Sequence, residues 1–126
     1  MKFRTAWVCA VALAAGAWTT GAWAHHSYAM FDRGKTVTLN GTVREYRWTN
    51  PHTWLQVTVP NDAGGTDEWS VEMGSPFELL RNGWTAKTIK AGDKVSVQIH
   101  PVKDGTKGGG FVSAMDADGR QLGGGK

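Results

Sequence analysis

The pattern of apolar and polar residues predicts that this chain is built mainly of β-strands. The stretch from Lys35 to Trp48 alternates for more than ten residues, and its apolar or aromatic members are Val37, Leu39, Val43 and Tyr46. Period-two alternation with many β-branched residues is typical of a strand. Gly41, in the middle of this stretch, predicts a bulge or a bend.

Four further strands and one short helix are predicted along the chain. The strands are His52–Pro60, Glu68–Gly74, Lys94–Val102 and a segment from Phe111 to Leu122 that runs into an Asp-Gly turn. Before the fourth strand, Ser75, Pro76 and Glu78 form the start of a helix with a capping box, and Gly83 can end it. The apolar members of this helical segment are Phe77, Leu79, Leu80 and Trp84. The run KDGTKGGG, residues 103–110, predicts a flexible loop.

The order β-β-β-α-β-β predicts an all-β fold with one short helix, namely a five-stranded OB-like barrel. The long first strand with its central glycine and the helix between strands three and four both fit that barrel. A five-stranded β-sandwich is the structural alternative, and the position of the helix favours the barrel. The expected organisation is a signal peptide, an N-terminal segment, the barrel and a disordered glycine-rich tail, at residues 1–24, 25–35, 36–122 and 123–126.

The first 24 residues have the features of a secretory signal peptide. They contain basic residues at Lys2 and Arg4, an apolar stretch over residues 6–17 that is too short to span a membrane, and small residues before a cleavage site at Ala24. Cleavage there would leave His25 with a free backbone amine, whereas cleavage after Ala29 would remove that terminus. We expect a periplasmic or secreted protein with no stable membrane anchor.

Composition narrows the range of functions. The one cysteine of the chain, Cys9, lies in the signal peptide, so the exported part has neither disulfides nor thiolate ligands. The chain has 14 basic and 11 acidic residues, and loss of Lys2 and Arg4 with the signal reduces its formal net charge from +3 to +1. This balance does not indicate a polyanionic partner, so we expect no nucleic-acid binding. We expect a monomer or a weakly associating protein.

Several segments together resemble a known family. HHSYAMFD follows the signal, and LNGTVREYRWTNPHTWLQV, WSVEMGSPFELLRNGW and KAGDKVSVQIHPVKDG follow in turn. The chain is similar, over essentially its whole exported part, to a family of small exported bacterial proteins of unknown function. The resemblance implies export and an OB-like barrel. It implies no activity, cofactor or catalytic residue.

Histidines are the strongest candidates for a functional site. All four lie in the exported part, at His25, His26, His52 and His100. In an OB barrel the start of strand two and the end of strand four lie at the same end, beside the binding face, so we expect His52 and His100 there. An extended segment over residues 25–35 would span up to ~36 Å, so the N-terminus can reach that end.

The residue types point to copper. Imidazole binds copper, zinc and nickel, and affinity in a nitrogen site is highest for Cu(II). A terminal His25 can chelate with its α-amine, of pKa ~7.7–8.0, together with its own ring. His26, His52 and His100 would complete the ligand set, and sulfur from Met30, Met73 or Met115 could favour Cu(I). The leading prediction is a periplasmic metal-binding protein with a copper ion as its cofactor.

The same residues also have ordinary structural explanations. Terminal histidines can be solvated polar residues on a frayed end, and His52 and His100 can hydrogen-bond the backbone at strand ends. The methionines can simply fill the core.

Aromatic residues suggest a second class of function. Trp48, Trp54 and Trp69 lie on adjacent predicted strands and could form an outward face that binds an envelope protein or a small organic ligand. They could equally be core residues. Trp54 has the opposite parity to Leu55, Val57 and Val59, so either Trp54 or that set faces away from the interior.

Catalysis has the least support. Glu45, Glu72 or Asp32 could act with a histidine, but the sequence places no two of them together. No nucleophile elbow, HExxH motif or phosphate-binding loop is present. We therefore expect no enzyme and no catalytic residues.

Overall fold

The computed structural model describes residues 28–124. A 3₁₀ turn, Tyr28–Met30, comes first. The regular elements that follow are β1 (Val37–Arg47), β2 (Trp54–Pro60), β3 (Thr66–Glu72), α1 (Pro76–Arg81), β4 (Lys94–Pro101), β5 (Gly108–Asp116) and β6 (Gln121–Leu122). The five predicted strands and the helix are present in the predicted order. The last predicted strand is divided in two, because a turn closed by Asp116 N donating to Arg120 O separates β5 from β6.

The strands close into a five-stranded barrel, which confirms the predicted fold and excludes the open sandwich. Antiparallel pairing runs from β3 through β2, β1 and β4 to β5, with β6 as a short addition, and a parallel pairing of β3 with β5 closes the circle. β1 is long enough to pair with both β2 and β4. This connectivity is that of an OB-like barrel.

Gly41 allows β1 to change partners. A Cβ atom at this position would collide with the Thr58 carbonyl of β2, so only glycine permits the close approach of the two backbones. The register shift itself lies between Val43 and Glu45. The sequence therefore located the irregular part of β1 correctly but placed its bulge a few residues too early.

The barrel interior is filled by the inward-facing residues of all five main strands. Leu55, Val57, Val71, Val97 and Ile99 are fully buried. Trp84 extends this core below α1, with its ring edge-on to Phe111 at 5.4 Å between centroids. Gly123 lies against Trp84, and Gly124 N donates to Asn82 O, so the first two residues of the predicted tail pack on the domain.

The helix begins as its sequence predicts. Ser75 accepts a hydrogen bond from Glu78 N, and the Glu78 side chain accepts one from Ser75 N. Of its predicted apolar members, Leu79 and Trp84 are buried, while Phe77 and Leu80 remain exposed. So short a helix presents only a narrow stripe to the barrel, and Phe77 and Leu80 lie outside that stripe. No helix within residues 28–124 is long and apolar enough to cross a membrane.

The predicted loop of residues 103–110 is wrong at its end, because β5 begins at Gly108. Gly108 to Gly110 pair in parallel with Ser70 to Glu72 and are buried. Close packing explains the glycines. A Cβ at Gly108 would come within 2.9 Å of Ser70 O, and one at Gly110 within 2.9 Å of the Phe31 ring.

Candidate metal site

A row of paired residues crosses the outer face of the barrel at one end. Trp54 of β2 pairs with Glu72 of β3, Glu72 with Gly110 of β5, and Gly110 with His100 of β4. Directly paired residues share a face of the sheet, and their chain neighbours face the interior, at Leu55, Val71 and Ile99. Glu72 and His100 therefore lie on the same outer surface, separated by a glycine.

His52 extends this row. Thr53 N donates to Gly74 O, and Met73 N donates to Thr53 O, so the pairing of β2 with β3 continues beyond both strands. This continuation brings His52 beside Glu72, with 2.5 Å between His52 Nδ1 and Glu72 Oε1. An ionised carboxylate can only accept, so Nδ1 carries the hydrogen, and in the neutral ring Nε2 is then the nitrogen with the lone pair.

His100 has the same arrangement with a different acceptor. Its Nδ1 atom lies 2.7 Å from the backbone carbonyl oxygen of Lys35. A carbonyl can only accept, so Nδ1 donates, and in the neutral ring Nε2 is again the nitrogen with the lone pair. Within residues 28–124, no group hydrogen-bonds the Nε2 atom of either histidine.

The N-terminal segment is fixed over this end of the barrel. Phe31 forms a β-bridge with Val102, Asp32 N donates to Pro101 O, and Lys103 N donates to Met30 O. The Phe31 ring is buried against Gly110, which has no side chain to displace it. The segment thereby places Tyr28 at the edge of the row.

An open cavity of about 420 Å³ lies between this segment and the barrel. Its wall includes Tyr28, Phe31, Arg33, Glu72 and His100. His52 is not among the described residues that line the cavity, and its ring contacts Glu72. Glu72 is 7% exposed and His52 33%, so the carboxylate is the more deeply placed of the two.

The predicted ligands fall into two groups. His52 and His100 lie at the same end of the barrel, as expected, whereas His25 and His26 lie outside the described residues. Residues 28–124 alone contain no group of three or more His, Cys, Asp or Glu side chains that could hold a metal ion.

The methionines have no common placement. Met73 is buried in the core but reaches the cavity wall, Met30 is half-buried in the N-terminal segment, and Met115 is 42% exposed on β5. Met115 pairs with Ser96 and Gln121, far along β5 from Gly110.

The three tryptophans do not form one outward face. Trp48 and Trp69 pack against the core, and Trp48 lies edge-on to Tyr46. Of the two parity sets on β2, Leu55 and Val57 face the interior, and Trp54 faces outward, half-buried beside Glu72.

The carboxylates named from sequence have different partners. Asp32 pairs with Lys35 at 3.4 Å and Glu45 with Arg47 at 3.0 Å, both on the surface. Glu72 is the one of the three that meets a histidine. The proximity of Glu72 to His52 could have been found from the sequence by pairing β2 with β3 outward from the NDAGG turn, because this register sets Trp54 opposite Glu72.

The chain resembles a protein family in sequence and a solved structure in fold. The sequence model of DUF6152, a family of unknown function, matches residues 12–111. No curated protein matches the chain. The crystal structure of the mitochondrial single-stranded DNA-binding protein Rim1 of S. cerevisiae aligns with 72% of this chain and 96% of its own, at 12% identity and a TM-score of 0.49.

Proposed function

The chain belongs to DUF6152, a family of unknown function, and we propose from its own residues that it is an exported binding protein for a transition metal, copper first. The metal is held at the cavity end of the barrel. Nitrogen ligands come from His25 and His26, which precede the described residues, and from His100 on β4, while His52, just before β2, lies at the same end of the barrel. The protein binds the metal and catalyses no reaction.

The hydrogen bond from His100 Nδ1 to the Lys35 carbonyl carries this proposal. Histidines that bind metals almost always donate the other ring N–H to a carbonyl, a carboxylate or water, which fixes the ring and its tautomer. His100 lines the cavity and has its Nδ1 occupied in this way. His52 has the corresponding bond to a carboxylate.

The N-terminal histidines are within reach of the same cavity. His26 and His25 precede Tyr28, a wall residue, by two and three positions. Three extended residues cover at most about 11 Å. Export with cleavage after Ala24 would give His25 a free amine, and amine plus imidazole form a two-nitrogen chelate suited to Cu(II).

Titration of Cu(II) into the exported form, competed against a chelator of known affinity, tests the proposal. The wild-type protein should bind one Cu(II) with sub-micromolar affinity. His100→Ala should weaken Cu(II) binding by at least about 10-fold. Loss of a group that only supports a metal ligand already costs about 10- to 100-fold in metal affinity. Gln98→Ala, two residues earlier on the same outer face of β4, is the matched control and should bind like the wild type.

Binding no tighter than that of a free His-His-Ser-Tyr peptide would contradict the proposal. Equal affinities for His100→Ala and Gln98→Ala would remove the barrel from the site. In either case the alternative of an envelope interaction module, with Trp54 as its outward aromatic, would become the leading hypothesis.

A further inference from the structure

We infer that Glu72 is itself a ligand of the bound metal and that His52 is a positioning residue that holds Glu72. The inference rests on the proposed function, because it concerns the same site. It reverses the roles that the sequence suggests, since His52 was the predicted ligand and Glu72 only an unplaced carboxylate.

The wall of the cavity distinguishes the two residues. Glu72 lines the cavity together with His100, whereas His52 does not. The continuation of the β2–β3 pairing places His52 against Glu72. A metal in the cavity would therefore lie beside a wall residue, Glu72, whose carboxylate is in turn held by His52.

The two carboxylate oxygens of Glu72 have different surroundings. Oε1 accepts from His52 Nδ1, and no group within residues 28–124 hydrogen-bonds Oε2. Burying a carboxylate is costly unless its charge is compensated, and Glu72 is more than nine-tenths buried. One N–H donor from His52, whose side chain is 33% exposed, compensates part of that charge. Oε2 is not among the fully buried unpaired atoms of residues 28–124, so it keeps some contact with solvent, and a cation bound there would replace that solvent.

The arrangement is that of a ligand with its supporting partner. Carboxylates that bind metals are themselves hydrogen-bonded, and the bond fixes which oxygen faces the metal. Carboxylate oxygen and imidazole nitrogen together are a common donor set for zinc and copper. The negative charge of Glu72 would also offset part of the positive charge of a divalent ion bound by two or three histidines.

Two substitutions at His52 separate a positioning role from a ligand role. The amide nitrogen of Asn lies near the position of His Nδ1, so His52→Asn keeps a donor to Glu72 but has no Nε2. His52→Ala has neither. If His52 positions Glu72, His52→Ala should lower Cu(II) affinity by about 10- to 100-fold, and His52→Asn should restore most of it.

Electron paramagnetic resonance of the Cu(II) complexes provides the second readout. Coupling to nitrogen nuclei reports the bound imidazoles directly. The number of coupled nitrogens should be the same in the wild type, His52→Asn and His52→Ala. Glu72→Gln should weaken binding at least as much as His52→Ala and should change the copper hyperfine coupling, because an anionic oxygen ligand is lost.

The possible failures are distinguishable. Absence of tight Cu(II) binding by the wild type overturns the proposed function and this inference with it. Tight wild-type binding that loses one coupled nitrogen in His52→Asn, with Glu72→Gln unchanged, overturns the inference alone and makes His52 the ligand. Circular dichroism of each variant, and the affinity of Glu72→Asp, which retains the charge, show whether a loss reflects the carboxylate or the fold.

Discussion

The ring of Phe31 lies directly on Gly110, where a Cβ atom would come within 2.9 Å of Phe31 Cδ2. This contact joins the N-terminal segment to the start of β5, between Glu72 and His100 in the cross-strand row. Both Phe31 and Gly110 line the cavity, so their contact helps to shape its wall.

Gly110→Ala should displace Phe31 and with it the N-terminal segment. Overpacking of this kind costs about 1–3 kcal/mol of folding free energy, and copper affinity should fall because Phe31 is displaced from the wall of the proposed metal site. Thermal unfolding and Cu(II) titration measure the two effects. Gly65→Ala is the control, since its Cβ would meet only Asn61 side-chain atoms at 3.6 Å or more. Equal behaviour of the two variants would show that Phe31 does not guide the segment.

Thr53→Val should leave the protein as stable as the wild type or make it more stable. Thr53 is fully buried, and its hydroxyl has no hydrogen-bond partner within residues 28–124. Valine has nearly the same shape and removes an unpaired polar group whose burial costs about 1–3 kcal/mol. Denaturant unfolding gives the difference in free energy. A loss above about 1 kcal/mol would mean that the hydroxyl is satisfied in solution.

Ser75→Ala should destabilise the domain by about 1 kcal/mol. Ser75 caps α1 by accepting from Glu78 N at 3.3 Å, and alanine cannot replace that acceptor. Ser75→Asp, which keeps an oxygen at the cap, should retain most of the wild-type stability. If both variants unfolded at the same denaturant concentration as the wild type, the capping box would contribute nothing.

Alkaline pH should destabilise the fold through Tyr46. Burial raises the pKa of Tyr46 above its ordinary value, and its hydroxyl donates to the Thr85 carbonyl at 3.2 Å. Above pH ~10 the unfolded chain loses this proton while the folded chain keeps it, so the free energy of unfolding falls as pH rises.

Tyr46→Phe should therefore lose stability less steeply above that pH than the wild type does. In Tyr28→Phe, Tyr46 is the remaining tyrosine of the chain, and its tyrosinate absorbance should appear only as the protein unfolds. Absorbance that rises at the ordinary tyrosine pKa, with the circular dichroism of the fold intact, would contradict the assigned burial.

Much of the fold could be predicted from sequence because the barrel interior imposes alternation on its strands. Val37, Leu39 and Val43 mark β1 in this way. The start of β5 could not be predicted, because three consecutive glycines show no alternation and their requirement for close packing appears only once β3, β4 and Phe31 surround them. The exposure of Phe77 and Leu80 could not be predicted either, since apolarity does not say which side of a short helix meets the core.

The sequence predicts only those parts of the site that lie at the ends of strands. The positions of His52 and His100 at strand ends were enough to place both at one end of the barrel. The contact of His52 with Glu72 depends on the β2–β3 register, and a shift by one residue would turn Glu72 into the core. The cavity depends on the path of residues 28–35, which carry no periodic pattern.

We propose above that a processed His25 terminus and the cavity end of the barrel form one copper site. The most direct measurement compares the Cu(II) affinity of protein beginning at His25, verified by intact mass, with that of the same protein carrying one additional alanine before His25. We expect tight one-to-one Cu(II) binding by the protein that begins at His25. The additional alanine should abolish or greatly weaken this binding, because the α-amine no longer belongs to His25. Equal affinities for the two proteins, or weak binding by both, would contradict it.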